Sequence, residues 1–390
     1  MIERLEVFVT ELPVRVKRIF SSGAYDTGDS KEVLGKPVLL KVFADGIVGT
    51  SQIRPISPGH FVADTTQSVV AAVTEVYGPL LLGRSPFDLE AINYDMIQRL
   101  PGNPAARALI DICLHDWVGK AVQQPVYNLI GGRAQERIPL EWSVSLADEP
   151  QAMVAEARRA VEEFGIRVLC LKAADRRGMR QDIANFKAVR QALGPDIDIG
   201  IDPNTGWTVS DTIAALPVYR EMGLAYLEQP NDRRDLRGLA EIRRAAAGIP
   251  VMADEALFTV DDAFAIAEAR AADVFCMKLY KLGGLATAKK IAGIGEAAQI
   301  RVNCGGLAVQ SQLEASAGAH FCASTPAKRM MGGAEFVFGL NTTAPDPLVE
   351  DTDFLIQDGH VSAPTTPGLG VIINDNKLQQ HTLLRRVVHQ

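Results

Sequence analysis

The chain of 390 residues has only five cysteines, at positions 113, 170, 276, 304 and 322. The number is odd and the spacings fit no zinc motif, so free, buried thiols in a reducing cytoplasm are expected. No basic run is present, and the net charge is −7 with a pI of about 5.5, which argues against a nucleic-acid surface. No apolar stretch reaches the roughly 18 residues that a membrane helix needs. The start, Met1-Ile2-Glu3-Arg4-Leu5, lacks the basic-then-apolar form of a signal peptide. Low-complexity segments are absent too. What remains is 47% hydrophobic with a mean hydropathy of +0.06, which fits a globular protein with a substantial core.

The informative region runs from Cys170 to Lys281. Four short apolar runs there end on a charged residue: Val168 to Lys172, Ile197 to Asp202, Leu224 to Glu228 and Pro250 to Asp254. A fifth, Val274 to Lys278, follows. The charged ends are spaced by 30, 26, 26 and 24 residues. That is about what one strand, one helix and two loops require. Between the runs the pattern turns helical, as in Asp182 to Arg190. Successive β-α units of a parallel barrel are expected.

In such a barrel every strand's C-terminal end opens on one face, where active sites sit. Lys172, Asp202, Glu228, Asp254 and Lys278 therefore converge. Burying three carboxylates is costly unless a cation offsets them. All-oxygen ligands suit a hard ion such as Mg²⁺, with Mn²⁺ as a substitute, better than zinc. Salt bridges that merely seal strand ends are the alternative, but five ends at a near-constant period argue against it.

The length suggests two domains. Residues 1 to about 55 read as a small antiparallel sheet, with Leu5–Val9 and Pro37–Val42 as strands and Ala44-Asp45-Gly46 as a turn. The Ser21–Lys31 link, with Ser22 and Tyr25, reads as a flap or a plain loop, and Arg54 falls in the same choice between substrate cap and surface. From about 63 to 130 the period is helical, with His115 and Asp116 as structural polar contacts. The barrel starts near Ile138, with Pro139–Val144 as its first strand. Its last strand lies near Arg329–Met331 or Ala334–Val337.

At these residues the chain resembles the enolase superfamily, in its muconate-lactonizing subgroup. Ala108–Lys120 is similar to that family's segment before the barrel. Ile201-Asp202-Pro203-Asn204-Thr205-Gly206-Trp207, Leu227-Glu228-Gln229-Pro230 and Met252-Ala253-Asp254-Glu255 are similar to its three metal-ligand motifs. Met277–Gly284 resembles its second lysine motif, and Thr366–Gly370 its ending. The resemblance spans nearly the whole chain. It implies a (β/α)7β modified TIM barrel at 131–345, under an α+β capping domain made of 1–130 and the tail 346–390.

The resemblance also implies Mg²⁺ held by Asp202, Glu228 and Asp254, with Lys172 and Lys278 as acid and base on opposite sides of a substrate carbon beside a carboxylate. Metal proximity and partial burial are expected to lower the lysine pKa values. Asn204 and Glu255 adjoin the ligands, and Lys281 reads as a solvated or structural charge. Two departures stand out: Cys170 replaces the first lysine of a usual Lys-x-Lys, and Gln310 falls where cycloisomerases carry a glutamate. Glu335-Phe336-Val337-Phe338-Gly339, by contrast, is similar to their Glu-Leu-Phe-Gly. The expected activity is that of a muconate cycloisomerase, with racemase, epimerase or dehydratase as alternatives and a non-catalytic binding barrel as the alternative of another class. The expected partner is a small-molecule carboxylate, with no nucleic acid or membrane, and a homo-oligomer is expected.

Overall fold

The computed structural model describes residues 1–21, 23–26, 35–55, 63–306, 309, 311–350 and 352–389. Four antiparallel strands form the N-terminal sheet, in the order Thr382–His389, Ile2–Thr10, Val38–Ala44 and Ile47–Ile53. The C-terminal strand thus adds to the edge of the first strand, with Val7 opposite Arg386. Asp45 and Gly46 both have positive φ, 49° and 74°, and Ala44 pairs with Ile47. This is the two-residue hairpin turn whose left-handed positions favour Asp-Gly.

One face of that sheet (Leu5, Val7, Leu40, Val42) packs on the helix Pro104–Ala121, through Leu109, Cys113 and Trp117. A Cβ at Gly49 would lie 2.4 Å from the Cys113 carbonyl oxygen, so glycine is what lets strand and helix approach. The helix is buried on all sides from Ala105 to Gly119. Its polar residues are therefore paired. Asp116 accepts from the backbone N–H of Thr50 and Leu369 and from Lys120, while His115 donates to the Asp111 carbonyl. Both are structural contacts, as the sequence suggested. The helical stretch after Thr65 starts with a capping box between Thr65 and Ser68, then widens to a π-helix over Ala72–Tyr77.

Seven parallel strands follow in sequential order: Glu141–Val144, Val168–Lys172, Asp198–Asp202, Leu224–Glu228, Val251–Ala253, Val274–Cys276 and Arg301–Asn303. We call them barrel strands 1 to 7. Helices between them cover the outside, as in Pro150–Phe164, which ends on Gly165 with φ 69°. Strand 1 is shorter than expected. Ile138–Pro139 pairs antiparallel with His360–Val361, and the parallel strand begins at Glu141.

The eighth position is also different. Among the described residues no strand forms there. Met330 bridges to Val302 of strand 7, and Ala334 bridges to Leu140 beside strand 1. Gly332 and Gly333 lie between these two single bridges, and a Cβ on Gly333 would sit 2.4 Å from the Leu140 carbonyl carbon. Each of the two segments read as a last strand supplies one bridge of the closure. Val337–Gly339 is a 3₁₀ turn.

Candidate active site

Side chains alternate along a strand, so on each barrel strand every second residue faces the lumen. Cys170 and Lys172 share that face on strand 2, Tyr226 and Glu228 on strand 4, and Cys276 and Lys278 at the end of strand 6. The lower layer is mostly apolar: Val168, Cys170, Tyr226, Met252, Val274 and Cys276 pack together. Gly200 makes room for it, since a Cβ there would lie 2.1 Å from the Tyr226 ring. Above that layer stand the charged ends.

Asp202 and Asp254 are fully buried, and Glu228, Lys172 and Lys278 nearly so. Lys172 donates to Asp202 Oδ2 at 2.5 Å and lies 3.9 Å from Glu335 Oε1. Lys278 pairs with Asp254 Oδ2. The two lysines thus sit on different carboxylates, on strands 2 and 6 of the ring. Asn204, with φ 46°, turns back on its own strand end. Its Nδ2 donates to Asp202 Oδ2 at 2.8 Å and to Glu255 Oε1 at 3.2 Å. Gln229 Oε1 accepts the backbone N–H of Asp254 at 3.0 Å and of Ala256 at 3.1 Å.

Lys281 was read as a solvated or structural charge. It is fully buried and structural: Nζ donates to the Asp254 carbonyl at 2.5 Å and contacts Asp254 Oδ1. The four-residue helix Leu279–Leu282 turns it inward. Arg54 is no surface residue either. It is fully buried at the end of strand Ile47–Ile53, with Nε donating to the Gly35 carbonyl at 2.9 Å. The backbone of Tyr25 lies in a short hairpin, paired with Arg18. Ser22 and Gln310 lie outside the described residues.

The expected lowering of the lysine pKa values counted a metal's charge; the protein's own groups act as follows. Burial works to lower the Lys172 pKa, but Asp202 and Glu335 outweigh it and hold the ammonium well above its usual range. Lys278 is likewise pushed down by burial and held well above by Asp254. For Asp254, burial is outweighed by Lys278 and Lys281, which keep it below the usual carboxylate range. Glu228 is raised well above its usual value, by burial and then by Asp202 and Asp254. Burial and Asp254 push Glu255 up to about 8.

Glu228 Oε1 is buried without a hydrogen-bond partner among the described residues. A buried carboxylate with an orphaned oxygen between two other carboxylates is what a bound cation would satisfy. The oxygens of Asp202 and Glu228 lie within 4.8 Å of one another and of Cys170 Sγ; those of Glu228 and Asp254 do so with Cys276 Sγ. The residues therefore fit a metal ion.

Sequence reasoning passed over two lumen residues of strand 1. Glu141 accepts the Gly333 N–H at 3.2 Å and is pushed up to about 8, by burial and then by Glu335. Ser143 is buried with its Oγ unpartnered among the described residues. Two polar residues at period two in an otherwise apolar strand were the available signal.

The chain is similar to known proteins over almost its whole length. Residues 152–377 match the family described as enolase C-terminal domain-like. Residues 30–131 match the mandelate racemase/muconate lactonizing enzyme N-terminal domain. The N-succinyl-L-Arg/Lys racemase of Bacillus cereus is 31% identical over 99% of each chain. Its crystal structure superposes with a TM-score of 0.89, at 30% identity and 99% coverage of both. A hydrophobic dipeptide epimerase of Enterococcus faecalis is 34% identical over 72% of this chain and 77% of its own. A chloromuconate cycloisomerase of Cupriavidus necator is 28% identical over 88% and 91%.

Fold and sequence together define an enzyme of the enolase superfamily, of the isomerase or lyase kind. Within it, the chain belongs to the mandelate racemase/muconate lactonizing enzyme family.

Proposed function

We propose that the protein racemises or epimerises a small carboxylate bearing an acylated α-amino group, by moving the α-proton between Lys172 and Lys278. The observation that carries this reading is the pair of lysines held by different carboxylates, Lys172 on Asp202 and Lys278 on Asp254. One base suffices for elimination or lactonisation; a proton that leaves one face and returns on the other calls for two groups. The racemase and epimerase among the relatives support the same class.

Asp202, Glu228 and Asp254 would hold Mg²⁺, or Mn²⁺ in its place. Bound there, the ion would supply positive charge for a substrate carboxylate and would offset the carboxylates that hold both lysine pKa values up. The remaining work falls to the chain. One lysine, neutral, accepts the α-proton at Nζ, and the other donates from Nζ on the opposite side. Lys281 keeps Asp254 in place, and Asn204 and Gln229 orient Asp202 and the Asp254 backbone. Glu335 stands beside Lys172. The N-terminal sheet and the tail, residues 1–130 and 346–390, would form the cap.

A second reading is muconate cycloisomerase-like chemistry. It is favoured by the Glu335–Gly339 run and by the chloromuconate cycloisomerase relative. Proton NMR in D₂O with Mg²⁺ separates the two. N-succinyl amino acids, dipeptides and muconate serve as the panel. Deuterium entering the α-position of both hands of an acylated amino acid is the expected result. Turnover of muconate alone, with no α-exchange in any amino acid derivative, would overturn the proposal.

A further inference from the structure

The two lysines of the proposed reaction stand before segments held from different parts of the chain. After Lys172 the hold comes from within the barrel. Asp182, on the helix Met179–Leu193, accepts the backbone N–H of Ala174 at 3.1 Å and of Asp175 at 3.0 Å. After Lys278 comes the four-residue helix Leu279–Leu282, whose Lys281 N–H donates to the Lys278 carbonyl at 3.0 Å. Gly283 ends that turn, and Gly284 precedes the helix Leu285–Ala298. A glycine has no side chain to cap a helix, so the first N–H groups of Leu285–Ala298 need a partner from elsewhere.

Asp111 is that partner, and it lies outside the barrel, fully buried on the helix Pro104–Ala121. Its Oδ2 accepts the N–H of Leu285 at 2.6 Å and of Ala286 at 3.3 Å, and its Oδ1 accepts Asn93 Nδ2 at 2.7 Å. A Cβ on Gly284 would lie 2.3 Å from Asp111 Oδ2, and one on Gly283 3.2 Å from Arg107 Nη1, so the glycine pair is what lets the turn reach this helix. Between lysine and glycines, Tyr280 is 3% exposed and belongs to the apolar cluster of Leu109, Ile110 and Leu114. The turn matters more for Lys278 than for its counterpart. Lys172 is the last residue of its own strand, in register with Asp202, whereas Lys278 lies two residues beyond the strand Val274–Cys276. We infer that Asp111 is a positioning residue for Lys278: by capping the helix that starts at Leu285 it fixes the turn that carries the lysine, and so serves one face of the substrate carbon and not the other. The inference rests on the two-lysine reading above.

The test is α-proton exchange in D₂O with Mg²⁺, followed by NMR for the L- and D-forms of the acylated amino acid that exchanges in the panel above. Lys278→Ala identifies the hand that Lys278 serves. Asp111→Ala should slow exchange of that hand by about 10²-fold, the scale of a reacting group misplaced by about 1 Å, with the other hand changed far less. Asp111→Asn keeps an acceptor for the Leu285 N–H and should recover most of the loss. Asp116→Asn, on the same helix but bonded to Thr50 and Leu369, should favour neither hand. If Asp111→Ala folds poorly by circular dichroism, Asn93→Ala, which frees Asp111 Oδ1, should show the same preference more weakly. Equal slowing of both hands, no slowing of either, or the same preference in Asp116→Asn would overturn the inference. A wild type that exchanges neither hand overturns the proposed reaction and this role with it. A wild type that exchanges both hands, with Asp111→Ala unselective, overturns this role alone.

Discussion

Lys172 lies 2.5 Å from Asp202, and both side chains are buried at the mouth of the barrel. The general base proposed for the reaction is thus ion-paired to a proposed metal ligand. A lysine in that pairing keeps its proton, so the base works only when Asp202 directs its charge elsewhere. In the proposed reaction, base and metal site act as one electrostatic unit.

Replacing Asp202 with Asn tests that unit. Asp202→Asn should remove most Mg²⁺ binding in calorimetry and lower kcat/KM on the order of 10³-fold, the scale of a lost charge-stabilising group. The circular dichroism spectrum should not change. Wild-type turnover after chelation of the metal would contradict the metal assignment.

Lys281 makes a different prediction, because it holds Asp254 without belonging to the lysine pair proposed for the reaction. Lys281→Met removes one partner of a fully buried ion pair. Such a loss typically costs about 3–5 kcal/mol. Denaturant unfolding should show a drop of about that size, and Mg²⁺ affinity should fall with it. Unchanged stability would mean that Lys278 alone satisfies Asp254.

His320 predicts an acid limit to stability. Its Nδ1 accepts the Tyr127 N–H at 3.2 Å, and its Nε2–H donates to the Leu369 carbonyl at 3.2 Å, so the ring is neutral. Burial pushes its pKa down to about 4 from an ordinary value of 6.5. The folded protein binds this proton less readily than the unfolded chain. Stability is therefore full above about pH 6.5, falls as pH drops toward 4, and levels off below. From pH 7 to pH 5 the loss is about 2 kcal/mol. The difference in unfolding free energy between wild type and His320→Asn, measured at both pH values, should shrink by about that amount. A pH-independent difference would mean that His320 takes up its proton in the fold as readily as in the unfolded chain.

Much of this site was readable from residue order. A charged residue ending each apolar run had one place to go once the runs were strands of one parallel barrel, and all five lie there. Closure of the ring was not readable, because two single bridges at Met330 and Ala334 flank a Gly-Gly pair and no apolar alternation marks them. Lys281 was ambiguous because a four-residue helix has too little period to show which way it faces. Arg54 follows a strand end, where only tertiary packing decides between surface and core. The expectation of lowered lysine pKa values counted a metal's charge beside burial; in the protein alone, the neighbouring carboxylates outweigh burial and hold both lysines up.

The central claim is that Lys172 and Lys278 serve opposite faces of one carbon. It is tested most directly by α-proton exchange in D₂O, followed separately for the L- and D-forms of an active N-acyl amino acid, in Lys172→Ala and Lys278→Ala. Each variant should lose exchange of one hand by about 10²–10⁴-fold, the usual contribution of a positioned acid or base. The two variants should lose opposite hands. Equal, partial loss of both hands in both variants would contradict the two-face arrangement.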